Sequence, residues 1–153
     1  MEGQLKHEIT DYLIEARLDL GVDFLGIALN TSATSVKEIR WLFASGNRNN
    51  RYQKIVLQNG KGIAGIVWKT GRAMSVQNLR EEVDDLSQFP IAIMENLVSI
   101  VAIPILMEQE VLAIFLGGYR KETVMDGRIK RQMEAVAAKL SPYLLQFMQR
   151  KED

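Results

Sequence analysis

The chain lacks most of the side chains on which enzymes rely. It has 153 residues with no cysteine, and His7 is its only histidine. Without cysteine, the chain cannot form a disulfide, a thiolate nucleophile, an iron–sulfur cluster or a thiolate zinc site. A Ser-His-Asp triad or a histidine metal site would have to be built around one side chain near the N-terminus. We therefore expect no enzymatic activity, no metal site and no cofactor.

Two short segments of the chain carry clusters of like charge. Four carboxylates lie in the segment 80–88, at Glu81, Glu82, Asp84 and Asp85. Carboxylate oxygens can bind a hard cation, but an acidic run is more often a solvated loop, and we predict a surface loop here. A modest basic patch of Arg128, Lys130 and Arg131 lies beside the apolar stripe of the last helical pattern. A solvated face is the simpler interpretation, and a partner-binding surface is the alternative.

A glycine-rich segment runs from Gly60 to Gly71. Its sequence is not that of a phosphate-binding P-loop, and such glycines serve turns and packing more often than ligands. Ile63, Ile66 and Val67 have helical spacing, so we predict a short helix that ends at Gly71.

Apolar residues spaced three and four apart predict a long amphipathic helix at each end of the chain. The first stripe is Leu5, Ile9, Tyr12, Leu13, Ala16 and Leu20; the second is Ile129, Met133, Val136, Ala137, Leu140, Leu144 and Phe147. Gly21 should end the first helix, and Pro142 should kink the second.

Strands are predicted between these helices. Residues 24–30 form an apolar run, and Ile39, Trp41 and Phe43 alternate with less apolar neighbours, which predicts a strand with one aromatic face. The runs 97–107 and 111–119 predict a hairpin covered on both faces. Pro90 should begin a brief helix before this hairpin.

Composition and order of elements indicate a single α+β domain over residues 1–153, with its core at about 5–147. Nineteen basic residues balance nineteen acidic ones, so the basic surplus of a nucleic-acid-binding domain is missing. The apolar region 97–119 is interrupted by Glu108 and Glu110, which argues against a membrane span. We expect a soluble cytoplasmic protein.

The segment from Gly60 to Arg72 resembles the GAF domain family, with a glycine-rich helix start followed by Thr-Gly-Arg and a strand. The run Ser99-Ile100-Val101-Ala102-Ile103-Pro104 is similar to a later strand of that family. The resemblance spans about residues 5–147. It implies a central antiparallel sheet with terminal helices on one face and short pocket helices on the other. Branches that attach a bilin or reduce methionine sulfoxide use cysteine, which this chain lacks.

Within the family, the chain resembles single-domain bacterial nitrate receptors. The similarity lies in Trp41, in Gly62-Ile63-Ala64 at a helix start and in Pro90-Ile91-Ala92-Ile93 at a second one. Such receptors hold nitrate with backbone amides at two helix starts and a tryptophan. The resemblance therefore implies a ligand site formed by Trp41, Gly62, Ile63, Ala64, Ile91 and Ile93. The alternative interpretation is purely structural and assigns Trp41, Ile91 and Ile93 to the core and the glycines to turns.

The resemblance also implies a function. It indicates a nitrate sensor that modulates a sensor histidine kinase in a two-component system for nitrate or nitrite respiration. A homodimer could form through the terminal helices, and we expect no nucleic-acid or membrane partner. The alternative is a GAF-fold dimerisation or scaffold module that binds another small ligand or none.

Overall fold

A six-stranded antiparallel sheet separates two layers of helices. The computed structural model describes residues 2–152, and the strands follow the order β3-β2-β1-β6-β5-β4 across the sheet. The strands are β1 (Phe24–Asn30), β2 (Ile39–Ser45), β3 (Val56–Leu57), β4 (Met74–Val76), β5 (Ser99–Met107) and β6 (Glu110–Tyr119). The long strands β1 and β6 therefore pair at the centre, and the shortest strands lie at the two edges.

Within the described residues, helices cover both faces of the sheet. They are α1 (Glu2–Leu20), α2 (Gly62–Thr70), α3 (Leu79–Glu82), α4 (Pro90–Met94) and α5 (Gly127–Glu152). Gly21 and Gly71 follow α1 and α2 with φ values of 71° and 67°, a left-handed conformation that glycine adopts without strain. Both predicted helix ends are confirmed. Pro142 lies inside α5, and the kink there stays a prediction.

The predicted hairpin is formed by β5 and β6, which pair from Ser99↔Tyr119 to Met107↔Glu110. Its turn consists of Glu108 and Gln109, whose φ values are 52° and 72°. Positive φ at both central residues is required by the two-residue turn that best matches the twist of a hairpin. The hairpin is therefore confirmed, although β5 begins two residues later than predicted.

Each face of the sheet has its own hydrophobic core. On one face α1 and α5 pack together and against the strands, through residues such as Leu13, Met133 and Leu144. On the other face Trp41 and Leu116 pack with residues of α2, α3 and α4. The predicted α+β architecture is confirmed, including the assignment of long and short helices to opposite faces.

An irregularity in β2 changes which residues share a face. Along the β1–β2 pairing, Ile27 lies opposite Phe43 and Ala28 lies opposite Trp41, so the register shifts by one residue. Phe43 consequently packs in the terminal-helix core, where its ring meets that of Phe147 edge-on at 5.2 Å. Trp41 packs in the other core. The prediction of one aromatic face was wrong because a β-bulge reverses the alternation of side chains.

The acidic segment 80–88 is more ordered than the predicted loop. It contains most of α3 and a 3₁₀ turn at Leu86–Gln88. Asn78 caps α3, because its side chain accepts hydrogen bonds from the amides of Arg80 and Glu81. The prediction of a loop was therefore wrong, although Glu81 is exposed as a surface segment requires.

Candidate anion-binding site

The first turn of α2 presents amides that have no acceptor among the described residues. Lys61 is the N-cap residue and its side chain makes no capping hydrogen bond. Amides in a first helical turn have no partner inside their own helix. Ile63 and Ala64 are 1% and 0% exposed, and no described backbone or side-chain acceptor within residues 2–152 bonds their N–H groups. These two amides are therefore free to donate to a ligand.

Glycines allow the chain to form this helix start. The amide of Gly60 donates to the carbonyl of Gly65 at 2.8 Å, and Gly62 has a φ of 67°. A Cβ at Gly62 would lie 2.7 Å from a methyl carbon of Leu57, and one at Gly65 would lie 2.4 Å from the carbonyl oxygen of Gln58. The missing side chains thus serve turn geometry and packing, and a ligand contact by Gly62 stays a prediction.

Trp41 is fully buried with an unsatisfied donor. Its side chain is 0% exposed, and its indole Nε1–H has no hydrogen-bond partner among the described residues. The ring lies over Gly26, where a Cβ would come within 3.1 Å of Trp41 Cε3. Burying an N–H without an acceptor costs about 1–3 kcal/mol. A ligand that accepts from Nε1 would remove this penalty.

The start of α4 contributes a further free amide. Phe89 is the N-cap residue and Pro90 occupies the first turn. The amide of Ile91 has no acceptor among the described residues, whereas that of Ile93 donates to the Phe89 carbonyl at 3.4 Å. This bond is longer than the usual value of about 2.9 Å. Geometry therefore favours Ile91 over Ile93 as the donor from α4, and the roles of both stay predictions.

Four of the predicted site residues share one hydrophobic core. Trp41, Ile63, Ala64 and Ile91 belong to one cluster of buried apolar side chains. Ile93 is half exposed and lies outside this cluster. The site thus combines several neutral N–H donors with an apolar surrounding. Such an environment suits a weakly hydrated monoanion, because a strongly hydrated ion would lose too much solvation on entering it.

The acidic cluster serves local structure. Glu82 Oε2 accepts from the amide of Asn78 at 2.6 Å, and Asp85 Oδ1 accepts from the amide and hydroxyl of Ser87. The hydrogen bond from the Ser87 hydroxyl, followed by that from its amide, lowers the pKa of Asp85. Within residues 2–152, no group of three or more histidine or carboxylate side chains is arranged to hold a metal ion.

A buried ion pair was not predicted from the sequence. Glu95 is 0% exposed, and its Oε1 lies 2.8 Å from Nη2 of Arg120. Its Oε2 is buried without a hydrogen-bond partner among the described residues. One signal was present, since Glu95 is the one charged residue in the mostly apolar segment 89–107. Its partner lies 25 residues further along the chain, and nothing local indicates that pairing.

Comparisons of the chain with protein-family models and with curated proteins gave no match. No helix within residues 2–152 combines the length and apolarity needed to cross a bilayer.

Solved structures define the class of protein. The GAF domain of a phosphoenolpyruvate-protein phosphotransferase from Coxiella burnetii is similar to the chain with a TM-score of 0.78 and 14% identity. The match covers 97% of this chain and 87% of that chain. At this identity the similarity concerns the fold alone, and it agrees with the sheet and helix layers described above. The protein has the GAF fold.

Two structures from Staphylococcus aureus are more similar in sequence. A mutated NreA protein, changed in its nitrate binding site, is 31% identical with a TM-score of 0.74, and the match covers 82% of this chain and 98% of that chain. A hypothetical protein is 32% identical with a TM-score of 0.72, covering 76% of this chain and 95% of that chain. The chain therefore belongs to the NreA family of GAF-fold proteins.

Proposed function

We propose that this protein is a nitrate-binding sensor. The observation that carries the proposal is the set of buried donors without acceptors: the Trp41 indole N–H and the amides of Ile63 and Ala64. The amide of Ile91 adds a donor from a second helix start. Membership of the NreA family supports the choice of ligand, because the similar S. aureus protein has a nitrate binding site.

The chemistry of nitrate fits these donors. Nitrate is a planar, weakly basic monoanion whose three oxygens can accept from separate N–H groups. The N-terminus of α2 also carries a partial positive charge from the helix dipole, which favours an anion. Neutral donors avoid the cost of burying a guanidinium or ammonium group beside the ligand. The proposal therefore requires no cationic side chain in the site and no catalytic residue.

Isothermal titration calorimetry with sodium nitrate tests the proposal directly. We expect one site per chain, with sodium sulfate at the same ionic strength as the control. Emission from Trp41 should change during the titration, since its indole N–H would acquire an acceptor. A protein with no heat and no emission change at millimolar nitrate would contradict the proposal.

We further propose that the nitrate signal leaves the protein through contact with a cytoplasmic sensor histidine kinase of a two-component system for nitrate or nitrite respiration. Apolar side chains on the outer side of the terminal helices support a protein-binding surface, with Ile14, Leu18 and Tyr143 exposed by 43%, 67% and 43%. We define these residues as the terminal-helix face. In this scheme the nitrate-free form holds kinase autophosphorylation down, and nitrate relieves the restraint.

Thermodynamic linkage gives the test of this scheme. If nitrate weakens binding to the kinase, the kinase must weaken nitrate binding by the same factor. Nitrate is titrated into the protein with and without saturating kinase. Equal nitrate affinities would contradict the coupling and leave nitrate binding itself intact.

The terminal-helix face also supports the second candidate function, a dimerisation or scaffold module. Tyr12, Leu140 and Tyr143 line a small surface cavity of about 120 Å³ between α1 and α5. Sedimentation equilibrium of the parent and of Leu18→Glu distinguishes the candidates. A nitrate-independent dimer that Leu18→Glu dissociates, together with no nitrate binding, would favour the module.

A further inference from the structure

The buried carboxylate of Glu95 has two hydrogen-bond donors, one from a side chain and one from the backbone. Its Oε1 accepts from Arg120 Nη2 at 2.8 Å and from the amide of Arg48 at 2.8 Å. Arg120 Nε donates to the backbone carbonyl of Glu95 at 2.9 Å. The same residue is thus bound through its side chain and its main chain.

Arg120 also fixes this group to the sheet. Its Nη2 donates to the carbonyl of Gly46 at 3.0 Å, and its amide donates to Asp23 Oδ2 at 2.7 Å. Asp23 and Arg120 directly precede β1 and directly follow β6, the central pair of strands. Arg120 is therefore held beside the central pair of strands through its main chain, and its guanidinium is bound to the end of β2.

The elements joined by this pair carry two of the proposed donors, the Ile91 amide on α4 and the Trp41 indole on β2. Glu95 is the C-cap residue of α4, and its amide donates to the carbonyl of Ile91 at 3.0 Å. Gly46 directly follows β2, the strand that carries Trp41. A shift of Glu95 relative to Arg120 would therefore change the separation between the end of α4 and the end of β2.

Glu95 depends on its partner more than Arg120 does. Glu95 is 0% exposed, whereas the Arg120 side chain is 27% exposed. A buried carboxylate without its cation is strongly unfavourable, so breaking the pair forces the surrounding chain to move or admit water. That movement would occur next to α4, and it would displace a donor by a distance that matters for an anion held by a few hydrogen bonds.

We propose that Glu95 and Arg120 are positioning residues for the anion site, setting the distance between α4 and the Trp41-bearing strand. The inference rests on the proposed nitrate function for its affinity readout. Neither side chain contacts the anion in this scheme. They act through the Ile91 carbonyl on one side and the Gly46 carbonyl on the other.

The principal experiment measures nitrate affinity by calorimetry for Glu95→Ala and Glu95→Gln. Glu95→Ala removes the acceptor for both Arg120 and Arg48, and we expect nitrate affinity to fall by about tenfold or more, as when outer-shell support is removed from other ligand sites. Glu95→Gln keeps an acceptor oxygen at the Oε1 position, and we expect affinity within about threefold of the parent. Parent-like affinity in Glu95→Ala would overturn the proposal, as would an equal loss in both variants.

Two control variants distinguish a displaced donor from a general loss of stability. Leu144→Ala removes buried volume from the opposite core and should lower thermal stability while leaving nitrate affinity unchanged. Arg80→Ala removes an exposed hydrogen bond from Arg80 to Asn96, the neighbour of Glu95, and should also bind like the parent. If Glu95→Ala does not fold, Arg120→Lys takes its place, since it retains a cation but loses the fork that spans Glu95 and Gly46. Parent-like affinity in that variant would equally overturn the proposal.

A second measurement tests the positioning role in the absence of nitrate. In a Trp68→Phe background Trp41 is the only tryptophan, and acrylamide quenching reports its accessibility without nitrate. We expect quenching to increase in Glu95→Ala and to return to the parent value in Glu95→Gln. If the parent binds no nitrate, the proposed function fails, and unchanged quenching in Glu95→Ala would then overturn the positioning role as well.

Discussion

Replacing Trp41 with phenylalanine should weaken nitrate binding far more than it destabilises the fold. The change removes the indole N–H and part of the ring, and keeps an aromatic side chain on β2. In the free protein this N–H has no acceptor among the described residues, so it contributes no hydrogen bond to folding. In the nitrate complex it would donate to an anion.

The two expected magnitudes follow from the buried position of Trp41, which is 0% exposed. A lost hydrogen bond to a charged group costs about 1.5–3 kcal/mol, which corresponds to an affinity about 10- to 100-fold weaker. Reducing the size of a buried ring lowers the free energy of unfolding by on the order of 1–3 kcal/mol. Removing an unsatisfied buried donor raises it by about 1–3 kcal/mol. The two folding terms oppose each other, so the free energy of unfolding should change by less than about 2 kcal/mol.

Calorimetry gives the nitrate affinity of each variant, and urea unfolding gives its stability. Trp68→Phe is the matched control, because Trp68 is only partly buried and packs at the border of the same core. It should bind nitrate like the parent and retain the nitrate-dependent emission, with N-acetyltryptophanamide correcting for absorption by nitrate. Parent-like affinity in Trp41→Phe, or an equal loss in Trp68→Phe, would refute the role of the indole donor.

Three further predictions concern the donors around the site. Nitrate should bind more tightly than sulfate or phosphate in competition calorimetry, because strongly hydrated dianions need a cationic partner; tight sulfate binding would instead indicate that a cation such as Arg72 reaches the ligand. Ala64→Pro replaces a free first-turn N–H with a ring carbon, in a region of the helix that tolerates proline, and should abolish nitrate binding in a variant that still unfolds cooperatively in urea. Parent-like binding by folded Ala64→Pro would contradict the backbone-donor scheme. Gly62→Ala should lower the free energy of unfolding by about 1–2 kcal/mol, since φ is positive and Leu57 occupies the space of a Cβ; unchanged urea unfolding would show that the turn relaxes at no cost.

Local patterns in the sequence were sufficient for most of the fold. Apolar stripes, glycine stops and the polar interruption at 108–110 each depend on residues close together in the chain, and the structure confirms the elements they predicted. The family resemblance added the arrangement of those elements around one sheet. The similar S. aureus structures confirm that resemblance.

The error at β2 has a different origin. Alternation at Ile39, Trp41 and Phe43 predicts one face only if every residue of β2 pairs regularly with β1. The register shift between Ile27 and Ala28 breaks that condition, and it depends on the packing of two strands. Its consequence matters for the site, because the bulge lets Trp41 face the short helices while Phe43 fills the opposite core.

The sequence does not show which N–H groups are buried without an acceptor, and these groups are what suggest a ligand. Every residue proposed for the site is apolar or a glycine, so no side-chain chemistry distinguishes it from ordinary core. What distinguishes Trp41, Ile63 and Ala64 is that their N–H groups are buried and lack acceptors, which can be judged only after the surrounding chain has been placed. Native proteins leave few buried donors unpaired, and several in one apolar cluster are difficult to explain by folding alone. In the proposed function, a ligand that accepts from them accounts for both their burial and their lack of partners. The proposed positioning role of Glu95 and Arg120 would then account for how a site made of backbone amides keeps its shape.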